Sequence, residues 1–383
     1  MTLGAIGGSF GALSAQASPK AVFGFRWLKR GGAEYVGATL LREAQKHYGL
    51  DNVYVLLDQP EYEALDWLST GTKVWAINDC GGSRPTSDRA AQLRQMLTVW
   101  RPKIVVNCNS SAMWDVYRES ASDLKQHSRL YGFVFCFDYD SAGQPFGYAA
   151  SHLAASLPHM EAGLMDNATF RSELITTRTI PPALADKLHV IYQPAELPDI
   201  SMSDLRNRPQ HGASPVVAWA SRISRQKRPE LLRAVAELRP DMQFRMYGDF
   251  YDAHLYSASD FALPNLTYSG WYRTLSDVPM EDVDAFLYTS AWDGMPNILL
   301  AAGGLGLSLV TADVGGVSEI IDADSGWLVK AHADAREYAI ALDNAMSDKD
   351  EAMRRRRVLL DRLHARHTLE AFQARVRELR LFS

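Results

Sequence analysis

One stretch of the sequence, residues 284–313, reads DAFLYTSAWDGMPNILLAAGGLGLSLVTAD. Its apolar, aromatic-rich start at 284–290 predicts a buried strand, and a turn with glycine and proline follows. A helix is predicted from about Pro296, because proline suits the first helical turn, and a second strand follows at 308–313. A strand, a helix and a second strand in this order are typical of a parallel sheet covered by helices.

The same alternation extends in both directions from this stretch. Upstream in the first half, strands are predicted at 20–25, 52–57, 73–77, 103–108 and 129–137, and helices at 33–47, from 87 and near 112–125. In the second half, further strands are predicted at 215–221, 242–248, 266–270 and 326–330, a helix from 229, and helices throughout the last fifty residues. The predicted fold class is therefore α/β, with two facing Rossmann-like domains and a ligand site in the cleft that such domains form.

A proline-rich segment separates the two series of elements. Residues 193–215 contain four prolines among polar residues and have no sustained periodicity. We therefore predict an N-terminal domain over 1–195, a linker over 196–214, a second domain over 215–365 and a C-terminal helix over 366–383. Within the first domain, 1–19 is predicted to be a flexible extension, and a secretory signal peptide is the alternative interpretation.

Composition narrows the classes of function. The chain has 383 residues, a net charge of −5, 47% hydrophobic and 22% charged residues, which suits two globular domains and excludes a disordered chain. Because the overall charge is weakly acidic, we expect no nucleic-acid partner. No apolar run approaches the length of a membrane span, and the sequence has neither a zinc-hydrolase histidine pair nor a Gly-x-Ser-x-Gly elbow.

Three turns that follow predicted strands have features of anion sites. Gly31 and Gly32 precede the first helix, where glycine lets a ligand approach the backbone and the helix offers unpaired amides; a plain tight turn is the alternative. Arg222 and Lys227 lie on the loop after 215–221 and could converge on a diphosphate; a solvated basic loop is the alternative.

The third turn is Asp293-Gly294-Met295-Pro296-Asn297, after strand 284–290. The amides that follow Pro296 could face a phosphate, and the carboxylate of Asp293 could accept hydrogen bonds from a sugar. Simple capping of the helix by Asp293 is the alternative. The three turns together place anion-binding features on both domains.

These segments resemble the family 4 type of retaining glycosyltransferase with the GT-B fold. The similarity lies in SRISRQKRPELLRAV, MYGDF, LTYSGWY and the long block that begins SAWDGMPNILL, and, less closely, in RWLKRGGAE and RHTLEAFQARVREL. The resemblance implies a nucleotide-sugar donor on the second domain, an acceptor on the first domain and a C-terminal helix that returns to the first domain. It implies no metal and no separate cofactor.

The resemblance also implies roles for individual residues. Arg222 and Lys227 would stabilise the departing diphosphate, and Asp293 would orient the donor sugar, so these three are the predicted catalytic residues. The other predicted donor-binding residues are Gly31, Gly32, Gly248, Tyr272, Gly294, Met295, Pro296, Asn297 and Ile298.

The sequence departs from the family pattern at several positions. The second carboxylate of the family's Glu-x7-Glu motif, which usually holds the ribose, is replaced by Ala301, and Ser221 replaces a glycine. Many relatives have a histidine on the acceptor side, where this chain has Phe137 followed by Asp138 and Asp140. We therefore predict, on weaker grounds than for the donor site, that Asp138 and Asp140 take the place of that histidine beside the acceptor. The Asp-x-Asp pattern could alternatively hold Mn²⁺.

The predicted function is retaining transfer of a sugar from a GDP-, UDP- or dTDP-linked donor to a carbohydrate or lipid-linked glycan, in bacterial surface polysaccharide or glycan assembly. The alternatives are an inactive GT-B module that binds glycan or nucleotide within a larger enzyme, and a sugar-nucleotide epimerase. The expected location is the cytoplasm. Peripheral contact with the inner membrane, through the basic run Arg354–Arg357, is the further expectation.

Overall fold

The computed structural model describes residues 18–77, 86–200, 205 and 214–383. Most of the predicted extension (1–19) and most of the predicted linker (196–214) lie outside the described residues. The chain divides into two compact units. The first unit comprises the chain up to Ile191 together with Gln373–Ser383, and the second unit comprises Tyr192–Phe372.

The first unit is built on a seven-stranded parallel sheet in the order β3-β2-β1-β4-β5-β8-β9. Its strands are β1 (Ala21–Phe25), β2 (Val53–Leu57), β3 (Lys73–Ala76), β4 (Ile104–Asn107), β5 (Arg129–Phe133), β8 (Ala162–Met165) and β9 (Leu188–Val190), and a small hairpin comprises β6 (Asp138–Tyr139) and β7 (Pro145–Phe146). The helices are α1 (Gly32–Tyr48), α2 (Thr86–Trp100), α3 (Ser111–Leu124) and α4 (Ala168–Thr176).

The second unit is built on a six-stranded parallel sheet in the order β12-β11-β10-β13-β14-β15. Its strands are β10 (Val216–Ala220), β11 (Gln243–Tyr247), β12 (Leu266–Tyr268), β13 (Ala285–Tyr288), β14 (Ser308–Ala312) and β15 (Trp327–Val329). Its helices are α5 (Pro229–Leu238), α6 (Asn297–Gly304), α7 (Ala335–Ser347), α8 (Lys349–Arg366) and the start of α9 (Leu369–Glu378).

The central strands read as continuous apolar runs because helices cover both faces of each sheet. Every residue of β1, β2, β10 and β14 is buried. The two units have separate hydrophobic cores, with Trp114 and Tyr117 in the first and Trp219 and Phe286 in the second. Each unit therefore satisfies the requirement for an independent core.

The C-terminal residues pack on the first unit, as predicted for a returning helix. The Gln373 side chain donates to the carboxylate of Glu43 at 2.9 Å, and the Arg375 guanidinium donates to the carbonyl of Val190 at 3.0 Å. Strands β8 and β9 and helix α4 were not predicted. These elements are short and lack a sustained apolar period, so the sequence pattern did not distinguish them from loops.

Each sheet has one point at which the chain changes direction across the sheet. In the first unit this point lies between β1 and β4, and in the second it lies between β10 and β13. At such a point the loops after the two strands leave in opposite directions and open a crevice, where ligands of open α/β sheets bind.

We predict that Gly248→Ala lowers the melting temperature of the protein by several degrees more than Gly270→Ala. Gly248 has φ +142, and a Cβ there would overlap the carbonyl oxygen of Ser221. Gly270 also has a positive φ (+84), but a Cβ there would meet no heavy atom within 4 Å. The control therefore measures the cost of backbone conformation alone, about 1–2 kcal/mol, and equal losses would show that the contact with Ser221 is unimportant.

Candidate functional site

The strongest concentration of predicted site residues lies at the crevice of the second unit. The loop after β10 contains Arg222 and Lys227, and the loop after β13 contains Asp293. Lys227 lies in a single 3₁₀ turn before α5, and only 9% of its side chain is exposed. Its ammonium forms an ion pair with the carboxylate of Asp293. The two loops on either side of the crevice are therefore joined by an ion pair between a buried lysine and a half-buried carboxylate.

Asp293 is held by several donors at once. One carboxylate oxygen accepts hydrogen bonds from the Lys227 ammonium and the Tyr288 hydroxyl, and the other accepts from the Gly294 amide at 3.1 Å. Burial by itself would raise the pKa of Asp293, but Lys227, the Tyr288 hydrogen bond and the charge of Arg222 outweigh burial and lower that pKa below its ordinary value of 3.8. Asp293 is therefore a carboxylate at neutral pH.

Arg222 lies beside this pair at the surface. Its guanidinium is 5.2 Å from the ring centre of the exposed Tyr251, and its charge acts on both Asp293 and Tyr272. The structure thus brings together Arg222, Lys227, Asp293 and Tyr272 from three loops. Arg222 and Lys227 both act on the Asp293 carboxylate, and this local excess of positive charge suits an anionic ligand. The charge of a second carboxylate, Asp249, acts on Tyr272.

The turn at 294–298 contributes backbone groups rather than side chains. Gly294, Met295 and Pro296 are buried, and the Met295 side chain packs in the core of the second unit. Pro296 occupies the position before α6, and no side chain caps this helix. The amides of Asn297 and Ile298, in the first turn of α6, therefore have no intrahelical partner and can meet an anion.

A surface cavity of about 470 Å³ lies beside the predicted residue Tyr272. It follows the ends of β11 and β12, and its lining includes Tyr247, Trp271 and Arg273. Burial raises the pKa of Tyr272, although the Arg222 charge lowers it, so its phenol stays neutral. Trp271 is 58% exposed, which is unusual for tryptophan and leaves its indole face open at the cavity.

Gly248 and a second glycine, Gly315, shape the backbone around the site. Gly248 ends β11, its amide donates to the carbonyl of Gly270 at 2.9 Å, and its own carbonyl accepts from the Tyr268 hydroxyl at 2.8 Å. Gly315 has φ +52, and a Cβ there would overlap the carbonyl oxygen of Asp293. Both glycines therefore permit close contact between loops at the carboxyl edge of the sheet.

Sequence reasoning missed three residues of this site. Tyr288 has the pattern of a core strand residue, and no signal distinguished it. Gln193 is 1% exposed, and its amide nitrogen donates to the carbonyl of Met295 at 2.7 Å and to the side-chain oxygen of Asn297 at 2.9 Å. The Gly-Gly pair that includes Gly315 follows a predicted strand, as Gly31 and Gly32 do, and this signal could have identified it.

The predicted acceptor-side and glycine-loop residues of the first unit have intramolecular contacts. Gly31 precedes α1, and the buried carboxylate of Glu34 lies against it, so a phosphate could reach these amides only if Glu34 moved. Asp138 and Asp140 lie exposed on the β6–β7 hairpin, where one oxygen of Asp140 accepts from the amides of Ala142 and Gln144. The roles assigned to Gly31, Gly32, Asp138 and Asp140 stay predictions.

The basic run Arg354–Arg357 is engaged within the second unit. Arg354 pairs with Glu351 and Asp324, Arg355 pairs with Glu351, and Arg357 pairs with Asp361. Arg356 is buried. None of the described helices combines the length and the apolar composition that a membrane span requires. The described ranges of the chain contain no group of three or more His, Cys, Asp or Glu residues that could hold a metal ion.

Comparisons with known proteins bear on both units. Residues 214–348 match the sequence family described as Glycosyl transferases group 1. No protein of curated function matches the chain. The chain is similar in structure to the lipopolysaccharide outer core galactosyltransferase WaaB in its apo form, with a TM-score of 0.69, 17% identity and coverage of 94% of this chain and 98% of that chain.

Two further solved structures are similar over nearly the full length. Anabaena Alr3699/HepE in complex with UDP and glucose aligns with a TM-score of 0.71 and 16% identity, covering 95% of this chain and 100% of that chain. A glycosyltransferase from Rickettsia africae ESF-5 aligns with a TM-score of 0.65 and 12% identity, covering 96% and 100%. The α/β GT-B fold predicted from the sequence is confirmed, and the match over residues 214–348 supports a glycosyltransferase.

We predict that the Lys227–Asp293 pair contributes strongly to stability. Lys227→Met and Asp293→Asn should each lower the free energy of unfolding by up to about 3–5 kcal/mol, because each removes one partner of a largely buried ion pair. The double variant should lose less than the sum of the single losses. Urea unfolding of the two single variants and the double variant measures these losses. The exposed pair Arg233–Glu237 on α5 is the matched control, and its coupling should stay below about 1 kcal/mol; additive losses at 227 and 293 would contradict the pairing.

The stability that this pair supplies should depend on pH. Since the pKa of Asp293 is lowered on folding, its contribution is complete above the ordinary value of 3.8 and is lost as the pH falls through the lower folded value. The difference in melting temperature between the wild type and Asp293→Asn should therefore narrow below about pH 4. A constant difference from neutral pH to about pH 2 would contradict a lowered pKa.

Proposed function

We propose that the protein is a retaining, metal-independent glycosyltransferase that moves a sugar from a nucleotide sugar to a carbohydrate acceptor. The observation that supports this most directly is the cluster of Arg222, Lys227 and Asp293 at the crevice of the second unit. A diphosphate leaving group gains negative charge as its bond to the sugar breaks. The cations of Lys227 and Arg222 at the crevice would stabilise that charge, which is the main electrostatic requirement of the reaction.

The donor diphosphate would take its other contacts from α6. The first amides of that helix, at Asn297 and Ile298, point to the same edge of the sheet as Lys227 and can donate to phosphate oxygens. A carboxylate has about four acceptor positions, and three donors contact Asp293. The remaining capacity would accept a hydroxyl of the donor sugar.

The base of the nucleotide would occupy the cavity beside Tyr272. The open indole face of Trp271 offers a stacking surface, and aromatic stacking on a base is worth about 1–3 kcal/mol. UDP is the donor nucleotide that we favour, because the structurally similar HepE has been solved with UDP and with UDP-glucose. GDP- and dTDP-linked donors are the alternatives.

In the proposed reaction, the bond between the sugar's anomeric carbon and the diphosphate oxygen breaks, and a bond to the acceptor oxygen forms on the same face. The acceptor hydroxyl proton passes to the leaving phosphate, so no protein nucleophile is required. The acceptor would be a carbohydrate or lipid-linked glycan bound by the first unit. Bacterial surface polysaccharide assembly in the cytoplasm, with or without contact with the inner membrane, is the proposed setting.

A thermal-shift screen against nucleotides and nucleotide sugars tests the donor site. Binding to the folded state raises stability by RT ln(1 + [L]/Kd), about 2.7 kcal/mol at one hundred times Kd. UDP without metal should raise the melting temperature of the wild type and of Arg233→Ala, an exposed arginine on α5, but not of Lys227→Ala. No shift with any nucleotide would overturn the proposal, and a shift that survives in Lys227→Ala would place the nucleotide elsewhere.

A turnover assay separates an enzyme from an inactive binding module. Incubation with a UDP-sugar and an acceptor panel should release UDP, and NMR of the glycoside should show the anomeric configuration of the donor. Arg222→Ala should reduce kcat/KM by about tenfold or more, the value of one charged hydrogen bond. Nucleotide binding without release of UDP would favour the inactive module, and an inverted product would exclude retention.

We predict that Ala301→Glu tightens nucleotide binding. Ala301 lies half-buried on α6, four residues after Asn297 and so on the same helix face, where relatives of the resembled family have the carboxylate that holds the ribose. A new hydrogen bond from a ribose hydroxyl to a carboxylate should lower Kd by about tenfold. Ala301→Gln is the control of equal size without charge. Unchanged or weaker binding by Ala301→Glu would show that the ribose lies elsewhere.

A further inference from the structure

The crevice of the first unit has its own cation, which the sequence interpretation did not single out. The sheet changes direction between β1 and β4, so the residues directly after these strands border a crevice at the carboxyl edge. Arg26 is the first residue after β1. It stands in this unit where Arg222, two residues after β10, stands in the second unit.

The guanidinium of Arg26 is held in place by an aromatic ring. It lies 4.2 Å from the centre of the Trp27 ring, within the range of a cation–π interaction, and the Lys29 ammonium lies 4.6 Å from the same ring. The backbone carbonyl of Arg26 accepts from the Gln59 amide at 2.9 Å, which joins this position to the loop after β2. A stacked, half-buried guanidinium loses little conformational freedom when it binds a ligand.

The cations that follow Arg26 on the same loop are neutralised by carboxylates. Lys29 forms an ion pair with Glu61. One guanidinium nitrogen of Arg30 donates to both carboxylate oxygens of Asp66, each at 2.7 Å. Within residues 18–77, 86–200 and 214–383, no carboxylate lies within ion-pair distance of Arg26. The loop after β1 therefore presents one planar cation that has no ion-pair partner in the described part of the chain.

Two hydroxyls lie at the same edge of the sheet as this cation. Ser111 begins α3, after β4, and its hydroxyl donates to the carboxylate of Asp58 at 2.9 Å. Asp58 is 1% exposed and also accepts hydrogen bonds from the Ser110 hydroxyl and from the backbone amides of Ser111 and Ala112. These donors at the N-terminus of α3 stabilise the carboxylate of Asp58. Tyr148 stacks on Trp114, and the charges of Arg26 and Asp58 both act on its phenol. Tyr148 thus lies at the same edge of the sheet.

We propose that Arg26 binds an anionic group, a phosphate or a carboxylate, on the acceptor, with the Ser111 and Tyr148 hydroxyls contacting neighbouring sugar hydroxyls. This inference rests on the proposed function, since it names the chemical class of the acceptor. A guanidinium donates two parallel hydrogen bonds to a carboxylate or phosphate, and its fork geometry and charge both match such a group. A neutral acceptor would leave the stacked cation without a counter-charge.

Binding of simple sugars tests the inference without knowledge of the true acceptor. Methyl glucuronide carries the carboxylate, glucose 6-phosphate carries the phosphate, and methyl glucoside is the neutral reference. Titration calorimetry of the wild type should show binding of at least one charged sugar and weaker binding of methyl glucoside. The charged sugar that binds identifies the anion. Arg26→Ala should weaken its binding by about tenfold, and Arg26→Lys by less.

Two variants elsewhere are the matched controls. Lys125→Ala removes one exposed positive charge after α3, at the opposite edge of the same sheet, and should leave binding within about twofold. Arg233→Ala, which removes an exposed positive charge on α5 of the second unit, should also leave binding of the charged sugar unchanged. Arg26→Ala should keep the thermal shift produced by UDP, which confirms that the variant is folded.

Several results would overturn the inference. The first is equal affinity of Arg26→Ala and the wild type for the charged sugars, and the second is equal affinity of the wild type for methyl glucoside and the charged sugars. The third is loss of charged-sugar binding in Lys125→Ala or Arg233→Ala, and the fourth is no binding of any charged sugar. Failure here leaves the UDP-dependent thermal shift and its dependence on Lys227 untouched. Failure of the donor site would instead remove that shift. The two proposals are therefore distinguishable.

Discussion

The largely buried ion pair between Lys227 and Asp293 is the constraint on which the second unit's site depends. It joins the loop after β10 to the loop after β13, and these loops leave the sheet in opposite directions. Without a link across the crevice, each loop would be fixed by its own strand and helix only. Tyr288, at the end of β13, adds a hydrogen bond to the same carboxylate, so the position of the ammonium follows from the strand itself.

The rest of the site is arranged around this pair by close backbone contacts. Gly315 lets the loop after β14 lie directly against the Asp293 carbonyl, and Gly248 does the same for the loops after β11 and β10. The side-chain amide of Gln193 donates hydrogen bonds to the Met295 carbonyl and the Asn297 side chain, and so holds the turn at 295–297. These contacts lie at the carboxyl edge of the sheet, so the cations and the open amides of α6 face one region. Such preorganisation is what a reaction that develops charge requires.

The two units use the same architecture with different electrostatics. In the second unit, a lysine is paired with a carboxylate, and an arginine supplies the excess positive charge. In the first unit, Lys29 and Arg30 are paired, and Arg26 supplies the excess. In both units this arginine follows the strand that comes first in the chain, β1 or β10, and lies near an aromatic ring. Each unit thus has a crevice whose cation suits a ligand with an anionic group.

The sequence by itself determined the alternation of elements, the two series of strands and the positions of Arg222, Lys227 and Asp293, because strands buried on both faces and glycine-containing turns have local signatures. It did not show the short elements β8, β9 and α4, whose stability comes from their neighbours. Nor could it show that Lys227 and Asp293, 66 residues apart, form a pair, or that Glu34 lies against Gly31. Tertiary structure decided these points, since pairing and burial depend on which loops the sheet order brings to one edge.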